Sequence, residues 1–222
     1  YANKGFDVHA QLCGIIGPET AGWYSDPIET LEDYKGLKIR FAGLGGKVLE
    51  KLGASVTMMP GGELYQALEK GTIDATEWVG PYNDLAFGLY KAAPYYYYPG
   101  WHEPGACLEA IVNADAWAAL PEDLKAIVTT ACESVSHTML AEMTARNQIA
   151  LKTLVEEHGV TVLPFPEDVL KALREASETV LLQTAESDAF AGKVHASYSA
   201  FREQMLANTG IAEQAYLNAR SS

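Results

Sequence analysis

An acidic and a large aromatic side chain stand together at the end of a short apolar segment, and this pair is the first candidate for chemistry. Residues 73–77 alternate like a buried strand, and Glu77 and Trp78 come just before Gly80-Pro81, where a strand must stop. In α/β proteins, ligands bind at the carboxyl ends of strands. A carboxylate there can hold a cation while the neighbouring indole shapes a small pocket, so we predict a ligand site at this position.

The segment before Glu77 has the pattern of successive α/β units. Strands are predicted over 37–42, 55–59 and 73–77, and helices over 47–52 and 60–70. This alternation predicts a parallel sheet with right-handed crossovers. Since parallel strands end at the same edge of a sheet, we expect Arg40 and Glu77 to lie at one edge. By itself, the position of Arg40 favours a simple surface cation on an acidic protein over a ligand-binding residue.

The rest of the chain is predicted to add short strands and long helices. The predicted strands cover 7–13, 106–113 and 160–163, with an extended aromatic segment at 94–99. The predicted helices cover 81–93, 121–158, 166–186 and 194–219, the last one interrupted near 208–210. A loop is expected over 14–22, and a helical turn over 30–36 with a capping box of Thr30 and Asp33. The helix over 121–158 would be roughly 57 Å long, so it either kinks or bridges two lobes.

Composition narrows the class of partner. The 222 residues carry a net charge of -13, which argues against nucleic acid or an anionic membrane as the main partner. Hydrophobic residues make up 48%, so the chain can build a sizeable core. Three cysteines are too few for a disulfide framework. Cys132 is expected in the core, and a bridge between Cys13 and Cys107 is conceivable but not expected.

Several segments of the sequence resemble the solute-binding proteins of TRAP transporters, of the DctP type. The segments that carry the resemblance are Leu31-Glu-Asp-Tyr-Lys-Gly-Leu-Lys-Ile-Arg40, Leu52-Gly-Ala54 and Pro60-Gly-Gly-Glu-Leu-Tyr-Gln-Ala-Leu-Glu-Lys-Gly-Thr-Ile-Asp-Ala75. The residues Glu77-Trp78, Tyr90-Lys91 and Tyr95 to Trp101 look most like the branch that binds 2-oxo acids and related small carboxylates.

The resemblance implies an α/β fold of the periplasmic binding protein kind. It implies a lobe with a parallel-rich sheet, a long bridging helix and C-terminal helices. Residues 1–118 would form the α/β ligand-binding lobe with its crossing strands. Residues 119–222 would form the bridging helix and a C-terminal helical region. By the resemblance, this region would complete a first lobe that family members have and that is expected to be missing here.

The resemblance also implies a set of site residues. Arg40 matches the arginine that pairs with the ligand carboxylate. Glu77 and Trp78 match a metal-binding pair, the first by its side chain and the second through its carbonyl group. Glu103 matches a further acidic position. Glu19 stands where that branch has a glutamine, which adds a negative charge, so the predicted metal ligands are Glu19, Glu77, Trp78 and Glu103.

The implied function is capture without chemistry. The predicted substrate-binding residues are Arg40, Trp78, Glu77 and Glu19, with no catalytic residues. The cofactor would be a metal ion that bridges the ligand carboxylate, and three carboxylates would favour Ca²⁺ over Na⁺. The implied partners are a small organic acid anion and the transporter's membrane subunits, with a possible homodimer through the C-terminal helix. The implied location is the periplasm.

Alternative interpretations remain open at this level. Glu77 and Glu103 could form an acid/base pair of a hydrolase, although no nucleophile motif accompanies them. A sensory ligand-binding module is a further alternative. The Gly43–Gly46 segment is interpreted as a tight turn rather than a phosphate cradle, since it lacks the P-loop pattern. His102, a lone loop histidine, is expected to be neither a metal ligand nor a proton shuttle.

Overall fold

The computed structural model describes residues 1–220, except for the side chain of Asn3. The chain forms two compact units, residues 1–173 and the residues from Arg174 onward. The strands are β1 (Val8–Ile15), β2 (Gly22–Tyr24), β3 (Lys38–Arg40), β4 (Ser55–Thr57), β5 (Ala75–Thr76), β6 (Tyr95–Tyr98), β7 (Cys107–Asn113) and β8 (Thr161–Pro164). The helices are α1 (Gly43–Lys51), α2 (Leu64–Glu69), α3 (Pro81–Phe87), α4 (Ala114–Ala118), α5 (Glu122–Glu156), α6 (Glu167–Ser187), α7 (Ala189–Ile211) and α8 (Glu213–Arg220). The proposed domain division after residue 118 stays a prediction.

The main sheet has six strands in the order β4-β3-β5-β2-β6-β8. β3 pairs in parallel with both β4 and β5, as the α/β pattern predicts, and β6 pairs in parallel with β8. The predicted parallel-rich sheet is confirmed, with one antiparallel strand inside it. β2, which we had not predicted as a strand, lies antiparallel between β5 and β6. Three residues without alternation leave no local pattern by which to recognise such a strand.

The glycines after β3 have a different role from the predicted tight turn. α1 begins at Gly43 itself, so the turn over 43–46 is wrong and the helix is longer than predicted. A Cβ atom on Gly45 would collide with the ring of Phe41, and one on Gly46 would lie 3.0 Å from Val56. These glycines therefore allow α1 to pack closely against the strands that carry the site.

Two other helix boundaries differ from the predicted ones. The helix predicted over 81–93 ends at Gly88, whose φ of +69° takes the chain out of the helix before a short 3₁₀ turn, Leu89–Lys91. The interruption predicted near 208–210 is wrong, because α7 continues to Ile211 and the break falls at Ala212. The capping box of Thr30 and Asp33 is confirmed.

A two-stranded antiparallel sheet of β1 and β7 packs beside α5. Gln11 on β1 donates to the backbone carbonyl of Thr129 on α5 at 3.3 Å and accepts from the hydroxyl of the same residue at 3.3 Å. α5 is a single helix of 35 residues, which confirms the predicted long helix. Cys132 is buried as predicted, and all three cysteines are free, so Cys13 and Cys107 are not bridged.

One hydrophobic cluster supports the sheet from the side of α2 and the 3₁₀ turn that follows α3. Trp23 stacks on Tyr96 with ring centroids 4.1 Å apart. The buried members are Trp23, Leu64, Ala67, Leu68, Ile73, Leu89, Ala93, Tyr96, Leu154 and Val160. Because residues from β2, α2 and β6 all contribute, this cluster fixes the helices relative to the strand ends.

The second unit consists of the end of α6 followed by α7 and α8. Asp188 caps α7, because its carboxylate accepts the backbone N–H groups of Phe190 and Ala191, both at 2.9 Å. None of the helices within residues 1–220 combines the length and the apolar character that a membrane span requires.

We expect Leu64→Ala to lower the free energy of unfolding by about 2–5 kcal/mol, because it opens a cavity in a fully buried cluster. Leu124→Ala is the matched control, since Leu124 is exposed on α5, and it should change stability by about 0.5 kcal/mol or less. Urea unfolding followed by circular dichroism measures both. Equal losses in the two variants would contradict the assigned core.

Candidate functional site

Arg40 and Glu77 lie side by side because their strands are paired in parallel. Arg40, the last residue of β3, stands opposite Thr76 on β5, and Glu77 follows directly. The guanidinium Nη1 of Arg40 forms an ion pair and hydrogen bond with Glu77 Oε1. Glu77 Oε1 also accepts the backbone N–H of Ala42 at 3.2 Å. Both side chains are buried, so the charges are held in a weakly screened environment.

Trp78 forms one wall beside this ion pair. The guanidinium carbon of Arg40 lies 5.5 Å from the centre of the Trp78 ring, within range of a cation–π interaction. The other neighbours of the ring are Phe87, with centroids 4.9 Å apart, and Gly61, where a Cβ atom would come within 2.5 Å of the indole. Gly61 therefore makes room for this indole. The Nε1–H donor of Trp78 is buried without a hydrogen-bond partner among the described residues.

Glu19 reaches the same region from the loop before β2. Its backbone N–H donates to the carbonyl of Glu103 at 3.3 Å, and its carboxylate is buried. Gly100 is required beside it, because a Cβ atom there would collide with the Glu19 carbonyl. Two loops distant in sequence are thus joined at Glu19.

Three ligand-type side chains converge at this point: Glu19, Glu77 and His102. One ligand atom from each lies within 4.8 Å of the others. Glu19 Oε2 and His102 Nε2 are 3.4 Å apart, and both are buried without a hydrogen-bond partner in the described part of the chain. Buried polar atoms are normally paired, so these atoms are available to a bound group.

His102 was expected to be neither a metal ligand nor a proton shuttle, and the structure places its side chain in the site. The ring of His102 lies against Phe41, with centroids 4.7 Å apart, and beside the carboxylates of Glu19 and Glu77. One available clue was its place in the loop with Glu103, a residue already assigned to the site by resemblance. Glu103 itself is outside the group of mutually close ligand atoms, and its metal role stays a prediction.

The acidic groups of the site share a strong tendency to bind a positive charge. Burial raises the pKa of Glu19 to about 8, and the nearby charge of Glu103 adds to this shift. Burial also raises the pKa of Glu77 to about 6, although the charge of Arg40 opposes it. Burial lowers the pKa of His102, which favours a neutral ring with a lone pair. A cation between the carboxylates would relieve both their repulsion and their desolvation.

Chemically, the arrangement presents donors for an anion next to ligands for a cation. The donors are the guanidinium of Arg40 and the N–H groups of Trp78 and Trp101, which have no hydrogen-bond partner among residues 1–220. The ligands are the oxygens of Glu19 and Glu77 and a nitrogen of His102. The structure therefore brings together the predicted residues Arg40, Trp78, Glu77 and Glu19.

The comparisons with known proteins cover most or all of the chain. Residues 19–188 match the family model for DctP, described as bacterial extracellular solute-binding protein, family 7. All 222 residues align at 41% identity with a monocarboxylate 2-oxoacid-binding periplasmic protein of Nostoc sp. (strain PCC 7120), and the chain spans 60% of that protein.

Two solved structures share the fold. One is a TRAP periplasmic solute-binding protein from Pseudoalteromonas atlantica with bound sodium and pyruvate: TM-score 0.91, 42% identity, covering 96% of this chain and 64% of that one. The other is a TRAP transporter solute-binding protein from Bordetella bronchiseptica, a mixed-occupancy dimer with calcium and picolinate: TM-score 0.94, 38% identity, covering 100% of this chain and 67% of that one. The predicted fold class is thereby confirmed. Because the family model matches 170 of 222 residues, from 19 to 188, the chain belongs to the DctP family, the bacterial extracellular solute-binding proteins of family 7.

Proposed function

We propose that this chain is the ligand-capturing part of a TRAP transporter and takes up a small 2-oxo or 2-hydroxy carboxylate together with a metal ion. The observation that carries the proposal is the buried convergence of Arg40 with the carboxylates of Glu19 and Glu77 at the strand ends. The relatives support it, since one is named for 2-oxoacids and two structures hold small carboxylates with sodium or calcium.

Arg40 is the residue that holds the ligand carboxylate. A guanidinium has five N–H donors in a planar fork that matches a carboxylate. Its described acceptors, Glu77 and the carbonyl of Met59, contact Nη1 and Nε. Nη2 is the nitrogen that remains for a ligand. The buried position strengthens this contact, because little water competes for it.

The carboxylates of Glu19 and Glu77 fit a bound cation. Glu19 Oε2 is buried and unpartnered, and Glu77 offers a second oxygen nearby. The Trp78 carbonyl and Glu103 complete the predicted set, and His102 adds a nitrogen beside them. When bound, Ca²⁺ or Na⁺ would supply a positive charge and a Lewis-acid contact for the oxygen next to the ligand carboxylate. Two or three carboxylates favour the divalent ion.

Aromatic side chains limit the size of the ligand. Trp78 packs against Phe87, and Trp101 stacks on Phe41 at 5.6 Å. The N–H groups of both indoles are buried without described partners and suit the oxygens of a small polar acid. The hydrolase alternative has no observation in its favour, because Glu77 is held by Arg40 and Glu103 lies outside the close group. The ligand is therefore bound and released unchanged.

The proposed setting is the periplasm, with the transporter's membrane subunits as partners and no nucleic acid. A homodimer is the proposed assembly, because α7 presents an apolar stripe and one related structure is a dimer. Members of the stripe recur every three or four residues, so they share one helix face. All are exposed: Phe190, Val194, Tyr198, Phe201 and Met205.

We expect Arg40→Ala to lower pyruvate affinity at least about 30-fold, since truncating one member of a buried charge pair costs about 2 kcal/mol or more. The loss should appear as an absent pyruvate-dependent shift of the melting temperature. Lys38→Ala is the matched control, because Lys38 is a cation on the same strand but is exposed. Retained binding in Arg40→Ala would place the ligand carboxylate elsewhere. Mass spectrometry should recover pyruvate unchanged.

We expect the metal-free protein to lose stability as pH rises from about 5 to about 8. Glu19 and Glu77 have raised pKa values of about 8 and about 6, against an ordinary value of 4.5. The folded protein therefore keeps protons that the unfolded chain releases, and this contribution is lost as they ionise. Melting curves across this pH range test it, and added Ca²⁺ should stabilise more at pH 8 than at pH 6.

The control for the pH effect is a pair of substitutions. Glu19→Gln removes a titrating group and should flatten the pH dependence. Glu50→Gln changes an exposed carboxylate on α1 and should leave it as in the parent protein. Stability that rises with pH in the metal-free protein would contradict the assigned burial of the acids.

We expect Phe201→Lys to shift the protein from dimer to monomer, because it places a charge in the apolar stripe of α7. Glu203→Lys, on the opposite face of the same helix, should leave the dimer intact. Light scattering after size-exclusion chromatography measures the mass of each variant. A monomeric parent protein would exclude the proposed assembly.

A further inference from the structure

Asp84 is a buried carboxylate outside the proposed ligand set. It lies in the first turn of α3 and is fully buried. Each of its oxygens accepts two hydrogen bonds, and all four donors are neutral groups: Trp23 Nε1 at 2.8 Å, the Tyr96 hydroxyl at 2.8 Å, Val79 N at 3.2 Å and Gly80 N at 3.1 Å. A buried charge is expensive, and an apolar residue would fill a core without that cost. Its partners indicate what the carboxylate does.

One oxygen of Asp84 holds the chain just beyond the site strand. Oδ1 accepts the N–H groups of Val79 and Gly80, which directly follow Glu77 and Trp78. These bonds set the direction in which the backbone leaves β5. They therefore restrain the segment that carries Glu77.

The other oxygen of Asp84 is linked by hydrogen bonds to the loop that carries Glu19. Oδ2 accepts from the Tyr96 hydroxyl, which in turn accepts from the Thr20 hydroxyl at 2.5 Å. Thr20 follows Glu19 directly, and its N–H also donates to the Val79 carbonyl at 3.4 Å. Trp23, on β2 just after this loop, donates to Oδ2 and stacks on Tyr96. A continuous set of hydrogen bonds thus joins the segment that carries Glu19 to the segment that carries Glu77. The two residues are 58 positions apart in sequence.

We propose that Asp84, through Tyr96 and Thr20, is a positioning residue that holds Glu19 and Glu77 at the separation a bound cation requires. This inference rests on the proposed function of the site. Without a cation, the two buried carboxylates repel each other once both are ionised, and the network opposes their separation. Hydrogen bonds behind metal ligands typically change metal affinity about 10-fold to 100-fold when removed.

Two adjacent tyrosines on β6 allow a matched test. Tyr96 and Tyr97 are both buried, and both hydroxyls are hydrogen-bonded, but the Tyr97 hydroxyl contacts Ile28 rather than the network. Neighbouring strand residues face opposite sides of a sheet, so Tyr97 also points away from Tyr96. Tyr96→Phe and Tyr97→Phe each remove one buried hydroxyl. Only the first removes a link to the cation site.

The measurement is calorimetric titration of the metal-free chain with Ca²⁺, alongside the melting temperature of each variant. Tyr96→Phe should lose about 10-fold to 100-fold in Ca²⁺ affinity, whereas Tyr97→Phe keeps the parent affinity at a similar cost in melting temperature. Equal affinities in the two variants would overturn the positioning role and leave only a structural one.

A second pair of variants tests the path through Thr20. Thr20→Val should weaken Ca²⁺ binding, and adding it to Tyr96→Phe should cause no further loss, because both changes remove the same hydrogen bond. Additive losses would show that Thr20 acts independently of Tyr96 and would overturn the proposed path. Asp84→Asn, if it folds, should weaken binding at least as much as Tyr96→Phe.

Ca²⁺ and Na⁺ binding by the parent protein distinguishes failure of the cation site from failure of the positioning role of Asp84. If it binds Ca²⁺ and the tyrosine variants do not differ, the cation site stands and the role of Asp84 falls. If the metal-free parent protein binds neither Ca²⁺ nor Na⁺, the cation site of the proposed function falls, and the positioning role falls with it.

Discussion

The buried ion pair between Arg40 and Glu77 is the interaction on which the site depends. Its geometry follows from the parallel pairing of β3 and β5, which places Arg40 opposite Thr76. Removing one member of a buried pair leaves the other charge uncompensated, at a cost of about 3–5 kcal/mol. The pair therefore restrains the strand ends, and under the proposed function its arginine would also contact the charged group of a ligand.

The charges around the ion pair do not balance within the described residues. Glu19, Glu77 and Asp84 are all buried in this region, and Arg40 is the buried cation among them. Burial raises the pKa of each of these acids, to about 8 for Glu19 and about 6 for the other two. An excess of buried carboxylates favours an added cation, and that cation in turn favours an anionic ligand next to Arg40. Under the proposed function, this imbalance is what would allow a protein of net charge -13 to bind a carboxylate.

Local patterns predicted the elements that are local in origin. The α/β units, the long helix and the capping box of Thr30 depend on residues a few positions apart, and all are confirmed. β2 escaped prediction because it exists only through its neighbours on both sides, β5 and β6. The glycines of α1 wrongly predicted a turn, because their role is to pack against Phe41 and Val56 and those contacts exist only in the folded chain.

The sequence by itself determined the class of the protein and the identity of most candidate residues. Strand alternation and resemblance were enough to identify Arg40, Glu77, Trp78 and Glu19 as candidates. Only the tertiary structure decided that His102 joins the carboxylates and that Asp84 ties their two segments together. Both outcomes depend on contacts between residues far apart in sequence, such as His102 with Glu19 and Trp23 with Asp84. No local pattern records such contacts, because they form only when β2, β5 and β6 pair.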